Sequence, residues 1–405
     1  MNEKPASAIE YTAQAASPLI NGEVKLTIGG SALTVAALFD VAEIPYAEIN
    51  ELKLVDYTVI VNSDGGLYTF SRLGNWSQPF YDALFDAYNR TVLRSLFITG
   101  DPMLTAKGDY WYTEKNASAS GSAPIHVYEN NVTVLPPDLS ARRVPLCYVS
   151  GMDKGDFALT LKLDTGENYT YAKLGYDTKP FAEIIEKHIR ALREKTLEAV
   201  KEIDPTLSVA QASRLASLVP SGAAASFGQL SGIAPSFTTA LEKKISATRA
   251  AESYKVFQEL SDPARIWIGF RKNEATGYSP GESVADSAEE AAPDPYLLWL
   301  IVPSPDGRSA AVEFAEANSA TFVYRTGGDF EYFTRQLSRA LEAINFRREV
   351  IRMSDDELRK PENADYYMAC KRTAALQLVR SSFVSRIIHS GADNWKRKLI
   401  DLWNA

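Results

Sequence analysis

Residues 44–64 and 144–164 align without a gap, one hundred positions apart, with Pro45 on Pro145, Asp56 on Asp156 and Asp64 on Asp164. Gly66 continues the register on Gly166, and after one inserted residue Leu73-Gly74 falls on Leu174-Gly175 and Pro79-Phe80 on Pro180-Phe181. Such a duplication constrains the architecture before any local reading does, because two copies of one pattern must solve the same packing problem twice. The remainder of the 405 residues leaves room for a third unit of similar size.

Alternating runs at 23–28 and 32–37 flank Gly29-Gly30, which predicts a two-residue hairpin with positive φ at its centre. The second copy sets Asn130-Asn131 between runs at 125–129 and 132–135, with asparagine as the next most tolerant residue for that conformation. Strands follow at 47–56, 58–61 and 67–71, with counterparts at 158–163 and 169–172. Phe80, Leu84, Phe85 and Tyr88 then recur at helical spacing, as do Phe181, Ile184, Ile185, His188, Ile189 and Leu192.

A third unit repeats the plan by pattern more than by identity. Its strands are expected at 265–270, 296–302, 310–314 and 320–325, before a helical stripe of Phe330, Phe333, Leu337, Leu341 and Ile344. Residues 273–295 read as a mobile acidic loop. Segment 204–260, cut by Pro205, Pro220, Gly222 and Pro235, reads as a helical insert with Ser208 and Ser236 as N-caps. After Ser354-Asp355-Asp356-Glu357 a helical tail is expected, carrying Leu376, Val379, Phe383 and Ile387, then Trp395, Leu399, Leu402 and Trp403.

The strand order, the Pro45 to Ile49 segment, the Asp64-Gly65-Gly66 turn and the strand from Tyr68 leading to a Phe80-headed helix resemble the pleckstrin-homology-like superfold, its bacterial and GRAM-type members most of all. The resemblance implies an α+β chain of tandem antiparallel β-barrels, each closed by a C-terminal helix. The division that follows is 8–100 and 101–203 for the first two modules, 204–260 for the insert, 261–350 for the diverged third module and 351–405 for the tail. The family binds lipids, peptides or proteins. Its phosphoinositide-binding members carry basic residues around the first hairpin, where this chain has Gly29-Gly30-Ser31 and Glu129-Asn130-Asn131.

Forty-three basic against fifty-one acidic residues give a net charge of −8, which disfavours nucleic acid and anionic lipid as general partners. Cys147 and Cys370 form neither a disulfide framework nor a metal pattern. With no basic start and apolar block at Met1 to Pro5, and no run of the roughly 18 apolar residues a spanning helix needs, the expected compartment is the cytoplasm. Of the three histidines, His126, His188 and His389, the first two read as structural, and Cys147 as a small buried residue, so no catalytic, cofactor or metal site is expected. Asp64 and Asp164 read as turn-bonding carboxylates. The aromatic run Tyr110-Trp111-Tyr112 reads as core.

The expected function is therefore non-enzymatic: an intracellular scaffold presenting its modules to protein partners. Two alternatives stay open, a peripheral membrane protein and an enzyme with a site between modules. The surface singled out for a partner or membrane is Trp395, Leu399, Leu402 and Trp403 beside Lys396, Arg397 and Lys398, with docking onto the third unit as the competing reading.

Overall fold

The computed structural model describes residues 10–115, 117–272, 296–315, 320–389 and 391–404. The loop read at 273–295 lies outside them, as do residues 8 and 9 of the first segment. The fold is α+β, built on three antiparallel sheets.

The first sheet comprises β1 (Glu10–Ala16), β2 (Gly22–Ile28), β3 (Ala32–Ala36), β4 (Val41–Pro45), β5 (Ile49–Val55), β6 (Thr58–Ser63) and β7 (Gly66–Ser71), and helix α1 (Ser77–Ser95) follows it. The second comprises β8 (Leu104–Glu114), β9 (Ala117–Val127), β10 (Asn131–Val134), β11 (Arg142–Pro145), β12 (Val149–Lys154), β13 (Ala158–Leu163) and β14 (Asn168–Ala172), followed by α2 (Thr178–Ile203). The spatial orders are β4-β3-β2-β1-β7-β6-β5 and β11-β10-β9-β8-β14-β13-β12, one plan used twice. Even the irregularities repeat: β5 shifts register between Ile49 and Glu51, and β12 between Val149 and Gly151. In each copy the helical stripe is buried, with Phe80, Leu84 and Tyr88 in one and Phe181, Ile185 and Ile189 in the other.

The predicted hairpin chemistry is corrected. Gly29 and Gly30 do not take positive φ, and neither do Asn130 and Asn131. The connection is longer than two residues, with Gly29 N–H donating to the Ala32 carbonyl at 2.9 Å. Gly29 answers a close approach instead: a Cβ there would lie 2.9 Å from the Ala32 oxygen.

The third sheet is assembled from distant parts of the chain. Helices α3 (Val209–Leu218), α4 (Phe227–Ile233), α5 (Pro235–Ser246) and α6 (Ala251–Leu260) occupy the insert, but the insert also supplies β15 (Ala224–Ser226). β16 (Trp267–Lys272), β17 (Tyr296–Pro303), β18 (Ser309–Phe314) and β19 (Ala320–Arg325) continue the sheet, ahead of α7 (Phe330–Ala343). The tail adds α8 (Glu349–Arg352), α9 (Asp355–Leu358), α10 (Ala364–Arg372) and α11 (Ala374–Ser382), then a sixth strand β20 (Phe383–Ile388), and ends in α12 (Ala392–Asn404). The helix expected through Phe383 and Ile387 is thus a strand, paired antiparallel with β19. A four-residue spacing of two apolar residues suits either conformation, and the otherwise open β19 edge is satisfied by the strand. Ser208 caps α3 as predicted, whereas α5 starts at Pro235 and leaves Ser236 inside the helix.

This sheet is covered on both faces. Ile268, Phe270, Leu298 and Leu300 pack with the insert helices and α12. Leu297, Trp299, Ile301 and Val312 pack with α7 and the tail helices. Every residue of β17 and β18 is buried, which explains an apolar run without alternation.

Candidate functional site

The Asp64 carboxylate, expected to bond the turn backbone, bonds other side chains instead. Asp64, at the β6–β7 turn, accepts hydrogen bonds from Asn50 Nδ2 at 2.9 Å and from the Tyr367 hydroxyl at 2.7 Å, and pairs with Lys371 Nζ at 2.9 Å. Tyr367 and Lys371 lie one turn apart on α10, so this carboxylate fastens the tail to the first repeat. Burial alone would raise the Asp64 pKa, but the hydrogen bonds from Tyr367, Asn50 and Lys371 outweigh it and hold the group below its ordinary value.

The second repeat receives α7 on the homologous surface. Glu167, in the β13–β14 turn, pairs with Arg339 Nε at 3.1 Å, and Tyr148 donates from its hydroxyl to the Ser338 carbonyl at 3.2 Å. Arg339 reaches Glu342 at 3.1 Å and donates to the Arg143 carbonyl at 2.8 Å, while Arg143 pairs with Glu342 at 2.7 Å. Arg142 pairs with Glu114 at 2.9 Å. Arg143 and Arg339 are nearly fully buried, and the carboxylates they meet offset the cost of burying their charges.

Between this network and the tail lies a cleft of about 920 Å³, bounded by the β13–β14 turn, α7 and α11. Asp164, the repeat partner of Asp64, lies on its wall. The cleft admits water, yet protein crowds the carboxyl, and burial together with the nearby Glu167 pushes its pKa up to about 6. Lys115 and Arg335 are exposed on the rim, the Lys115 ammonium 3.6 Å from the centre of the Tyr332 ring. A second cavity of about 550 Å³ is bordered by Cys147, Arg271 and Asn345.

Of the two readings of the tail face, docking onto the third unit is the one the structure has. Trp395, Leu399 and Trp403 are buried on the third sheet and Leu402 packs against the same cluster, so α12 turns its apolar face inward. Lys396 pairs with Glu259 of α6 at 2.7 Å, while Arg397 and Lys398 face outward. The reason lies beneath α12. Glu313, fully buried on β18, accepts from Ser253 of α6 and from Thr321 of β19 and lies 3.2 Å from His389 Nε2; Trp395 Nε1 donates to the Thr321 hydroxyl at 2.8 Å. Insert, sheet and tail therefore meet on one buried carboxylate. Its distance in sequence from Ser253 and His389 hid this cluster; the lone Glu in the β18 run was its only signal.

His126 lies in β9 and His188 on the buried face of α2, and burial lowers the pKa of each. Burial pushes the Cys147 thiol far above its ordinary value and the Cys370 thiol up to about 11. Tyr110 and Tyr112 are buried and Trp111 between them is exposed, the alternation of a strand with one covered face. Among the described residues no group of three or more His, Cys, Asp or Glu is placed to hold a metal ion, and no helix is long and apolar enough to cross a membrane.

No protein-family model and no curated protein matches the sequence. Among solved structures, the chain is similar to one from the structure of the Spt16D Pob3N heterodimer, at 9% identity and a TM-score of 0.18, over 43% of this chain and 87% of that one. That likeness is too slight to carry an assignment of fold or function.

Proposed function

We propose that this chain is a non-enzymatic, cytoplasmic scaffold whose three pleckstrin-homology-like units are held in one arrangement and offered to a protein partner. The division at 8–100, 101–203, 204–260, 261–350 and 351–405 is part of this reading, with the third unit borrowing β15 from the insert and β20 from the tail. The observation that carries it is the use of the repeated surface: in both copies the β6–β7-type turn holds a helix of the C-terminal half. Of the buried arginines of the cleft wall, Arg142, Arg143 and Arg339 meet carboxylates and Arg372 donates to the Met368 carbonyl and the Tyr88 hydroxyl, while Lys115 and Arg335 are exposed on the rim. They suit an acidic stretch of a partner protein.

The test is capture from native lysate with the intact chain and with a K115E/R335E variant. A partner recovered by the first and lost by the second is the expected result. Equal recovery by both, or no specific partner under several conditions, would overturn the reading, as would turnover of a substrate lost in D164N.

A further inference from the structure

The junction between the first two repeats is used once, and the surfaces for using it again are open. Within the chain, residues 135–141, the connection from β10 to β11, lie along the outer edge of β5. Leu52 N–H donates to the Pro137 carbonyl at 2.7 Å, Glu51 and Asp138 form a bridge, and the Tyr88 hydroxyl donates to the Asp138 carbonyl at 3.3 Å. Leu135 and Ala141 are buried in the first repeat's core.

Carried along the repeat, Glu51, Leu52 and Tyr88 become Gly151, Met152 and Ile189. These three line a hollow of about 310 Å³ between β12 and α2. Where Leu52 is fully covered, Met152 is only partly so, and among the described residues no strand pairs with the outer edge of β12. The other half of the junction is open too. The first repeat's own β3–β4 connection is a tight turn closed by Ala37 N–H to the Asp40 carbonyl at 2.8 Å, and its tip exposes Leu38 by 85% and Phe39 by 90%. Two adjacent large apolar side chains held out at a hairpin tip are a contact surface in need of a cover. Charge agrees with the match: Asp40 and Glu43 flank the tip, and Arg190 and Arg193 border the hollow, where the carboxylate of Glu186 is already paired with Lys154.

We propose that the Leu38-Phe39 tip of one copy seats in the Met152/Ile189 hollow of a second copy, repeating between molecules the junction that the chain makes within itself. The tip is shorter than its homologue, because β3 and β4 stay paired to Ala36 and Val41 while β10 and β11 part at Val134 and Arg142. It therefore enters with side chains where the internal junction uses backbone. The contact is heterologous, so it propagates head to tail. It rests on the duplication and not on the scaffold reading.

Sedimentation velocity of the full chain over roughly two to three decades of concentration tests it. The expected result is a mass that climbs in steps of 44.6 kDa beyond the dimer. F39E and M152E should each weaken association at least about tenfold. Their mixture should regain association but stop at the heterodimer, since only one tip and one hollow remain able to meet. R190E provides a second variant of the hollow at an exposed position, and circular dichroism shows which variants fold. A chain that stays monomeric throughout, association that neither F39E nor R190E weakens, or a hollow that takes another protein while the chain stays monomeric would overturn the proposal.

Discussion

Asp64 and Asp164 began as one residue and now titrate in opposite directions. Asp64 is held low by Tyr367, Asn50 and Lys371, so its stabilisation is complete above the unfolded carboxylate range and is lost as pH falls through it. D64N should cost about 1 kcal/mol at neutral pH, read from urea midpoints, and nothing at acid pH. Asp164 is raised to about 6, so the folded chain holds that proton more tightly than the unfolded one, and stability falls as pH rises from about 4 to about 6. D164N should flatten that limb and raise the midpoint at pH 7, by less than the full shift because water in the cleft screens the charge. Equal midpoints for D164N and the parent at pH 7 would refute this assignment. Both aspartates were legible as turn residues; their partners lie up to 307 positions away, beyond any local pattern.

At the scale of elements, the alternating strands and the helical stripes were readable because one covered face leaves a period in the sequence. β20 was not, since Phe383 and Ile387 fit two periods, and β15 was not, since three small residues carry none. The apolar face of α12 was legible too, and so was its docking on the third unit as one of two readings, but the cluster beneath it was not, because Glu313 and His389 speak only through tertiary contact. Gly269 on β16 shows how closely elements can fit: a Cβ there would come within 2.1 Å of the Trp299 ring on β17. G269A should therefore cost at least about 1–3 kcal/mol, measured by chemical unfolding. Arg339 of α7 is the matching case for charge. R339M leaves Glu167 without its cation, while Glu342 keeps Arg143, and should cost about 3–5 kcal/mol, much of it recovered in R339M/E167Q.

Across the whole molecule, contacts far apart in sequence do the joining: α10 on the first repeat, α7 on the second, and Glu313 at the meeting of insert and tail. The third sheet takes strands from both sides of its own segment, and that arrangement has a consequence in time. A ribosome adding about 5–20 residues per second completes β19 several seconds before β20 exists. During that interval the first two sheets have every strand they need, while the third presents an open, apolar edge that nothing yet synthesised can close. A chain stopped after Ser382 should keep that edge and aggregate more in a light-scattering assay than one ending after Ile388, although both lack the cover that α12 gives the sheet face. Synthesis therefore has a vulnerable stretch between Arg325 and Phe383, and a chaperone that shields β strands would be needed most just before β20 emerges.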